Sequence, residues 1–192
     1  DIVASGSQKG YMIPPGLSFI AMSQKAWEAA EKSNLPKFYL NLKSYRKSLL
    51  TNSNPYTPAV NLVFALDEAL KMMREEGLDN IFQRHNKHKL AMSNAVKALN
   101  LKLFADEKYL SPSITAIKTE GIDAEEFRKT IKNNFDILLA GGQDHLKGKI
   151  FRVGHLGYVN DRDIITVVSA MSNTLLKLGK ISAQQAGEAL VV

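Results

Sequence analysis

Cysteine is absent from all 192 residues of this chain, and its absence excludes several kinds of chemistry. Without a thiol, the chain can form no disulfide, hold no Cys-ligated zinc and offer no cysteine nucleophile. It also has no thiolate to hold an iron–sulfur or nickel centre. The lack of cysteine is typical of proteins in a reducing cytosol, so we expect a cytoplasmic location.

Long apolar runs and blocks of one charge sign are also missing. No run approaches the roughly 20 apolar residues that span a bilayer, and the start has no basic segment before an apolar one, so we expect neither a membrane partner nor a signal peptide. The net charge of +6 is dispersed. The densest basic segment, Arg84–Lys89 ("RHNKHK"), has no interleaved aromatics. We interpret it as a solvated helix face and expect no nucleic-acid partner.

The first 76 residues predict one strand and two helices. Leu17–Met22 is a short apolar run, which predicts a buried strand, and Ser23 caps the helix that follows. Residues 35–56 are polar and predict a long loop with one helical turn. Thr57 and the following proline predict the start of a second helix that runs to Glu76. Because this helix is apolar on several sides, we expect it to be buried.

The rest of the chain predicts a small α+β domain with an open sheet covered by helices. Gly77 interrupts the helical pattern, so we place the domain boundary there, with domains 1–76 and 77–192. After a helix over 78–99, strands and helices follow in the order βαββα, with Asp123 and Asn160 as helix N-caps. The predicted strands are 101–104, 114–118, 137–140 and 150–153, and a short helix is expected within 182–192.

Lys9 lies in "SGSQKGYMIPPG", between a β-like stretch and a rigid Pro-Pro-Gly turn. A lysine reacts with carbonyl groups only where its site lowers the pKa of its amine, and most lysines in polar stretches are simply solvated. Here Ser7 and Gln8 could hydrogen-bond an anion such as phosphate. From these residues alone, both a solvated and a catalytic Lys9 remain open.

Arg152 lies within an apolar strand, in "FRVGHLG". An arginine there needs a partner, because an unpaired buried charge is costly. It could bind a substrate carboxylate with its planar fork, or it could be an edge-strand arginine paired with an acid of this chain. We interpret His155 as structural, and we expect no metal site, since His85 and His88 have no evident third ligand.

Four segments of the chain, in this order, closely resemble the class V pyridoxal-phosphate-dependent aminotransferases. They are "SGSQKGYMIPPGLSFIAMS", "YTPAVNLVFALDEAL", "GLDNIFQRHNKHK" and "FRVGHLGYVNDRDI". The most similar branch contains the alanine–glyoxylate and serine–glyoxylate (serine–pyruvate) aminotransferases, including cyanobacterial relatives called soluble hydrogenase small subunit. With no cysteine, this chain gives a hydrogenase function no support.

The resemblance implies pyridoxal 5'-phosphate as cofactor and a role for several residues. Lys9 matches the lysine that binds this cofactor covalently, and Gln8 matches a phosphate contact. Thr57 matches a threonine that reaches the cofactor phosphate of the neighbouring subunit, which implies a homodimer. Arg152 matches the arginine that holds the substrate carboxylate. Asn54 stands where some relatives have a tyrosine.

The resemblance also implies the α/β architecture of fold type I, the aspartate-aminotransferase-like fold. Relatives are about twice as long, so we expect this chain to be the C-terminal half: the end of the large cofactor-binding domain, then the complete small domain. The implied reaction moves an amino group from alanine or serine to glyoxylate or another small 2-oxo acid.

Three alternatives remain beside this function. A cysteine desulfurase shares the fold but needs a catalytic cysteine, and a phosphoserine-type aminotransferase fits the motifs less well. The third is a non-catalytic folded module or subunit derived from such an enzyme. For these 192 residues by themselves, we expect no activity.

Overall fold

Two antiparallel strands lie at the start of the chain. In the computed structural model, which describes residues 1–190, β1 (Ile2–Gly6) pairs with β2 (Ser18–Met22). The prediction of a buried strand is wrong for β2, because its Ile20 is 48% exposed. The physical reason is that a ribbon of two strands has too little surface packed against it to bury both faces.

Two short helices follow this pair. The first, α1 (Gln24–Lys32), begins after Ser23, whose hydroxyl accepts the N–H of Ala26, as predicted. The second, α2 (Leu42–Leu49), lies in the predicted long loop and forms two turns rather than one. Its N-cap is Asn41, whose side-chain oxygen accepts the N–H of Lys43, one of the first-turn N–H groups that have no partner within the helix.

Helix α3 (Val60–Glu76) differs from the sequence prediction in two ways. It begins at Val60, and Ala59 accepts the first helical N–H groups, so Thr57 is not its N-cap. The expected burial is also wrong, because Ala69 is its only buried residue and Phe64 is 71% exposed. A helix that is apolar on several sides needs neighbours all round, and two strands with two short helices do not provide them.

Gly77 separates α3 from α4 (Leu78–Ala98), as predicted. Its φ of 83° lies in the left-handed region, which glycine adopts without steric cost. The chain then forms a four-stranded antiparallel sheet in the order β3-β4-β6-β5. Its strands are β3 (Lys102–Leu103), β4 (Ile114–Lys118), β5 (Ala140–Gly141) and β6 (Ile150–Gly154).

Three helices complete this region: α5 (Ala124–Phe135), α6 (Asp161–Lys177) and α7 (Ala183–Glu188). The predicted N-caps are confirmed, since Asp123 accepts two N–H groups of α5 and Asn160 accepts two of α6. The predicted terminal helix is present as α7, and residues 191–192 lie outside the described part of the chain.

The hydrophobic core lies between the helices and one face of the sheet. Side chains from β4 and β6 meet α4, α5 and α6 there, and the rings of Phe127 and Phe151 lie 5.1 Å apart between their centroids. Burying one face of a sheet under helices is the layer arrangement that the βαββα order predicts. Because strand side chains alternate, the residue after Phe151, Arg152, lies on the opposite face.

The chain divides into two compact units, Asp1–Glu75 and a second that begins at Glu76. The assignment of the first unit to a large cofactor-binding domain stays a prediction. Across residues 1–190, no helix combines the length and the apolar character needed to cross a bilayer.

Candidate functional site

Lys9 lies in the turn that joins β1 to β2, in the first unit. Its N–H donates to the carbonyl of Gly6 at 3.2 Å, and its own carbonyl accepts the N–H of Met12 at 3.0 Å. Met12 has a φ of 64°, an uncommon backbone conformation for a residue with a side chain. The Lys9 side chain is exposed, and no acid or acceptor among residues 1–190 bonds its Nζ. The turn therefore fixes the backbone of Lys9 while its amine stays accessible.

Ser7 is completely buried at the base of this turn. Its hydroxyl donates to the carbonyl of Pro14 at 2.7 Å and accepts the N–H of Leu17 at 3.1 Å. The hydrogen of the hydroxyl is therefore already used inside the protein. A cofactor contact from Ser7 stays a prediction, and in this structure its side chain holds the turn together.

Gln8 and Thr57, the other two predicted cofactor contacts of the first unit, are both exposed. Gln8 is beside Lys9, and a Cβ added to Gly6 would stand 2.7 Å from its Oε1, so glycine at position 6 leaves room for this amide. The Thr57 hydroxyl makes no hydrogen bond to any residue that the structure describes. Both side chains can therefore donate to an incoming anion.

Four aromatic side chains cluster in the segment before Thr57, for which the sequence predicted a long polar loop with one helical turn. The ring centroid of Tyr56 lies 4.9 Å from that of Tyr39, 6.0 Å from Tyr45 and 5.7 Å from Phe38. Tyr56 also donates its hydroxyl hydrogen to the carbonyl of Phe38. The density of aromatics over 38–56 is the signal that could have predicted this cluster. It holds the chain immediately before Thr57.

Arg152 lies in the second unit, on β6, between β4 and β5. Its cross-strand neighbours are Ala116 and Ala140, two small residues that leave space above the sheet. Its Nε donates to the carbonyl of Gly141 at 2.9 Å. No carboxylate of residues 1–190 forms an ion pair with its guanidinium. The edge-strand position in that alternative is therefore wrong, because β6 is an interior strand. A substrate carboxylate as the partner of Arg152 stays a prediction.

Arg128 provides an internal comparison for Arg152. Its Nε also donates to a carbonyl beside β5, that of Leu139 at 2.8 Å. Its Nη1, however, is bonded to the carboxylate of Glu125 at 2.6 Å. Arg128 is thus neutralised within the protein, whereas the outer nitrogens of Arg152 remain available for a carboxylate from outside.

The basic segment Arg84–Lys89 is not the solvated face that its composition predicted. Arg84 bonds both carboxylate oxygens of Glu76 and the carbonyls of Gly157 and Val159. His85 accepts the N–H of Gly157 on Nε2. This face of α4 therefore binds the loop over 155–160 that follows β6. Composition could not show this, because the partners are main-chain groups more than 70 residues away.

The same face continues at His88, which is 1% exposed. Its Nε2 lies 3.0 Å from the carboxylate of Asp161, the first residue of α6, and Lys87 bonds the other oxygen. The pKa of Asp161 lies below its usual value, first because Lys87 donates to it and then because His88 does. The start of α6 is therefore tied to α4 by charged hydrogen bonds.

Arg84→Ala should lower the free energy of unfolding by about 2–4 kcal/mol, because it leaves a half-buried carboxylate and two carbonyls without a donor. Urea unfolding followed by circular dichroism measures this change. The matched control is Lys97→Ala, which breaks the exposed ion pair with Glu107 and should cost less than about 1 kcal/mol. Equal losses in the two variants would contradict the role of Arg84.

His155 is fully buried. Its Nδ1 lies 3.1 Å from the carbonyl of Pro112, and its Nε2 lies 2.8 Å from the hydroxyl of Thr115. These partners assign the proton to Nδ1, with Nε2 accepting from Thr115. The pKa of His155 is lowered to about 4, mainly because the ring is buried; the hydrogen bond to Pro112 opposes this shift, and the nearby His88 and His85 add to it.

Acid should therefore destabilise the protein through His155. The folded-state pKa of about 4 lies below the ordinary histidine pKa of 6.5, so folding favours the neutral ring. This stabilisation is complete above pH 6.5 and is lost as the pH falls to about 4, a total of about 3 kcal/mol. Unfolding free energies measured from pH 7 to pH 4 should show this slope. His155→Gln keeps a donor and an acceptor without titrating, and an unchanged slope in that variant would contradict the assignment.

The donor set of the first unit fits a cofactor that carries an aldehyde and a phosphate. Lys9 offers an exposed primary amine, and Gln8 and Thr57 offer exposed neutral donors. A primary amine condenses with an aldehyde, and neutral side chains commonly bind phosphate oxygens. Pyridoxal phosphate has both groups. Within the described part of the chain, no cluster of three or more His, Asp or Glu side chains is placed to hold a metal ion.

Comparison with known proteins places the chain in a family. The aminotransferase class-V family matches residues 1–164. A soluble hydrogenase small subunit from Synechococcus sp. (strain PCC 6716) is 58% identical over 179 residues, which cover 93% of this chain and 47% of that protein. A serine–glyoxylate aminotransferase from Methylorubrum extorquens is 36% identical over 186 residues, with 93% and 46% covered.

Among solved structures, a ureidoglycine–glyoxylate aminotransferase from Bacillus subtilis matches with a TM-score of 0.89 and 29% identity. The match covers 100% of this chain and 51% of that one. It confirms the prediction of the fold type I architecture. This chain spans about half the length of the curated relatives that it matches. With a family match over most of its residues, the chain belongs to the class V aminotransferases.

Proposed function

We propose that the intact polypeptide carrying these residues is a pyridoxal-phosphate-dependent aminotransferase. It moves an amino group from a small amino acid, alanine or serine, to glyoxylate or a related small 2-oxo acid. The observation that carries this proposal is the amine of Lys9 on a hydrogen-bonded turn, accessible and without a partner in residues 1–190, in a class V chain.

Lys9 has two tasks in this reaction. Its Nζ would hold the cofactor at its aldehyde group. The same amine would take a proton from the α-carbon of the substrate and return a proton to complete the transfer. When bound, pyridoxal phosphate supplies the electron sink that stabilises the electron pair left on that carbon. An exposed side chain on a fixed turn suits both tasks, since Nζ must move while its backbone does not.

Gln8 and Thr57 would hold the phosphate through neutral hydrogen bonds. Thr57 would do so in the neighbouring subunit, so the proposal includes a homodimer with shared sites. The aromatic cluster around Tyr56 supports this role, because it orders the segment that leads into Thr57.

Arg152 would bind the carboxylate of both the amino acid and the 2-oxo acid. Its Nε is fixed on the carbonyl of Gly141, and this bond sets the direction of the fork while the outer nitrogens remain available. A carboxylate held at two points leaves the substrate little rotational freedom, which aligns the bond to be broken. Small partners at Ala116 and Ala140 leave the approach open.

The choice of glyoxylate as acceptor rests on similarity. The relative from Methylorubrum extorquens and the Bacillus subtilis structure both carry glyoxylate in their names. The amino donors in those names differ from each other. We therefore propose one class of acceptor, glyoxylate and related small 2-oxo acids, and leave alanine and serine as alternative donors.

A second candidate is a folded, non-catalytic module made of these 192 residues alone. The second unit has a continuous core of its own, shared by α4, α5, α6 and the sheet, which supports independent folding. The first unit instead leaves large apolar side chains such as Phe38, Leu50 and Phe64 exposed. On this basis the isolated chain should bind the cofactor weakly or not at all.

The test compares the intact polypeptide with a protein of residues 1–192. Each is incubated with pyridoxal phosphate, then with ¹⁵N-labelled alanine or serine and glyoxylate, and labelled glycine is measured by mass spectrometry. We expect cofactor-dependent labelled glycine from the intact polypeptide and little from residues 1–192. Absence of labelled glycine from the intact polypeptide with both donors would contradict the proposed function.

A further inference from the structure

A single residue closes the turn that carries Lys9. The N–H of Ser7 donates to the carbonyl of Leu17 at 3.0 Å, and its carbonyl accepts the N–H of Ile13 at 3.4 Å. Its hydroxyl donates to the carbonyl of Pro14 and accepts the N–H of Leu17. Every polar group of Ser7 is thus bonded to the far side of the turn, and the side chain is 0% exposed.

Main-chain bonds cross the turn, but they leave the carbonyl of Pro14 and the N–H of Leu17 to the Ser7 hydroxyl. Pro14 and Pro15 have no N–H, so the strand ladder cannot continue through them. Gly16 follows with a φ of 143°, and a Cβ there would come within 2.4 Å of the Leu62 side chain. The Ser7 hydroxyl replaces the missing ladder bonds by linking one carbonyl and one N–H of this irregular segment.

Lys9 is two residues from this anchor. Its own N–H bonds to Gly6, the residue before Ser7, and its carbonyl bonds to Met12, the residue before Ile13. The backbone of Lys9 is therefore fixed on both sides to positions that adjoin the partners of Ser7. A shift of Ser7 would move both attachments together.

We infer that Ser7 is a positioning residue for Lys9, because its buried hydroxyl holds the 7–17 turn in the form that presents the lysine amine. This inference rests on the proposed function for the role of Lys9. It assigns Ser7 an action through the backbone, which requires no contact to cofactor or substrate. Its consequence is a site that is ordered before the cofactor arrives, which lowers the entropic cost of binding.

The test is the variant Ser7→Ala in the intact polypeptide. The rate of covalent adduct formation with pyridoxal phosphate is followed by absorbance, and the modified lysine is identified by borohydride reduction and peptide mass spectrometry. We expect adduct formation at Lys9 to slow about tenfold, as for loss of one or two hydrogen bonds. The matched control is Ser172→Ala, which removes another buried hydroxyl, one that donates to the carbonyl of Ala186, and should leave the rate unchanged.

Amide hydrogen exchange tests the same inference without a variant. In the unaltered polypeptide, the amide hydrogen of Leu17 should exchange slowly with solvent, because it is bonded to the Ser7 hydroxyl. The amide of Gly10, which makes no hydrogen bond within residues 1–190, should exchange fast. Equally fast exchange at both amides would overturn the inference, even if Ser7→Ala failed to fold.

The outcomes separate the inference from the proposed function. Equal adduct rates in the Ser7→Ala, Ser172→Ala and unaltered proteins would overturn the positioning role alone. Absence of any reducible adduct at Lys9 in the unaltered protein would remove the proposed function, and the inference with it. A slow rate confined to Ser7→Ala, with the adduct still at Lys9, supports both.

Discussion

Lys9→Ala should abolish the covalent adduct with pyridoxal phosphate in the intact polypeptide and lower the rate of amino transfer by about 10³-fold or more. The expected loss is large because, in the proposed reaction, one amine would serve both as the attachment point and as the proton carrier. No neighbouring lysine can replace it, since the turn over 7–17 contains no other. Borohydride reduction followed by peptide mass spectrometry measures the adduct, and labelled glycine measures the transfer.

Lys25→Ala is the matched control for this experiment. Lys25 is an exposed lysine of the same unit, and within residues 1–190 its ion pairing is limited to a 3.5 Å contact with Asp1. Removing it should leave both the adduct and the transfer rate unchanged. A reducible adduct that persists in Lys9→Ala would show that another lysine binds the cofactor.

Arg152→Ala should lower kcat/KM for alanine about 10- to 100-fold, mostly through a higher KM, because a charged hydrogen-bond pair to the substrate carboxylate is lost. Arg152→Lys should recover only part of this loss, since an ammonium group cannot make the two parallel bonds of a guanidinium. Steady-state kinetics with alanine and glyoxylate measure both parameters.

Arg128→Ala is the control that distinguishes a loss of substrate binding from a loss of stability. Arg128 also bonds a carbonyl beside β5, but its charge is already paired with Glu125. Its removal should reduce the free energy of unfolding and leave the KM for alanine unchanged. If Arg152→Ala reduced stability but left KM unchanged, Arg152 would be a structural residue.

The surroundings of Arg152 could not be predicted from the sequence. The sequence placed Arg152 in an apolar strand and left open whether its partner was an acid of the chain or a ligand. Only the strand order excluded the edge position, because it put β6 in the interior of the sheet with alanines on either side; the carboxylate ligand of Arg152 remains our proposal. Strand order depends on contacts between distant segments, and a local pattern does not contain them.

The Arg84–Lys89 segment shows a different limit. Its charge density predicted a solvated face, yet Arg84, His85 and His88 bind the loop after β6 and the start of α6. Composition predicts solvation when no partner is known, and the partners here are carbonyls, an N–H and one carboxylate. Conversely, the apolar residues of α3 predicted burial that the first unit does not provide.

The sequence by itself determined the elements whose signals are local. Ser23, Asp123 and Asn160 mark helix starts, and Gly77 separates α3 from α4, because capping and left-handed turns depend on one or two residues. Four ordered motifs determined the family. Tertiary structure alone decided that Ser7 closes the turn of Lys9, that Arg152 has no acidic partner in residues 1–190 and that α4 binds the loop after β6. Each of these depends on groups that are separated along the chain and meet only when the backbone has folded.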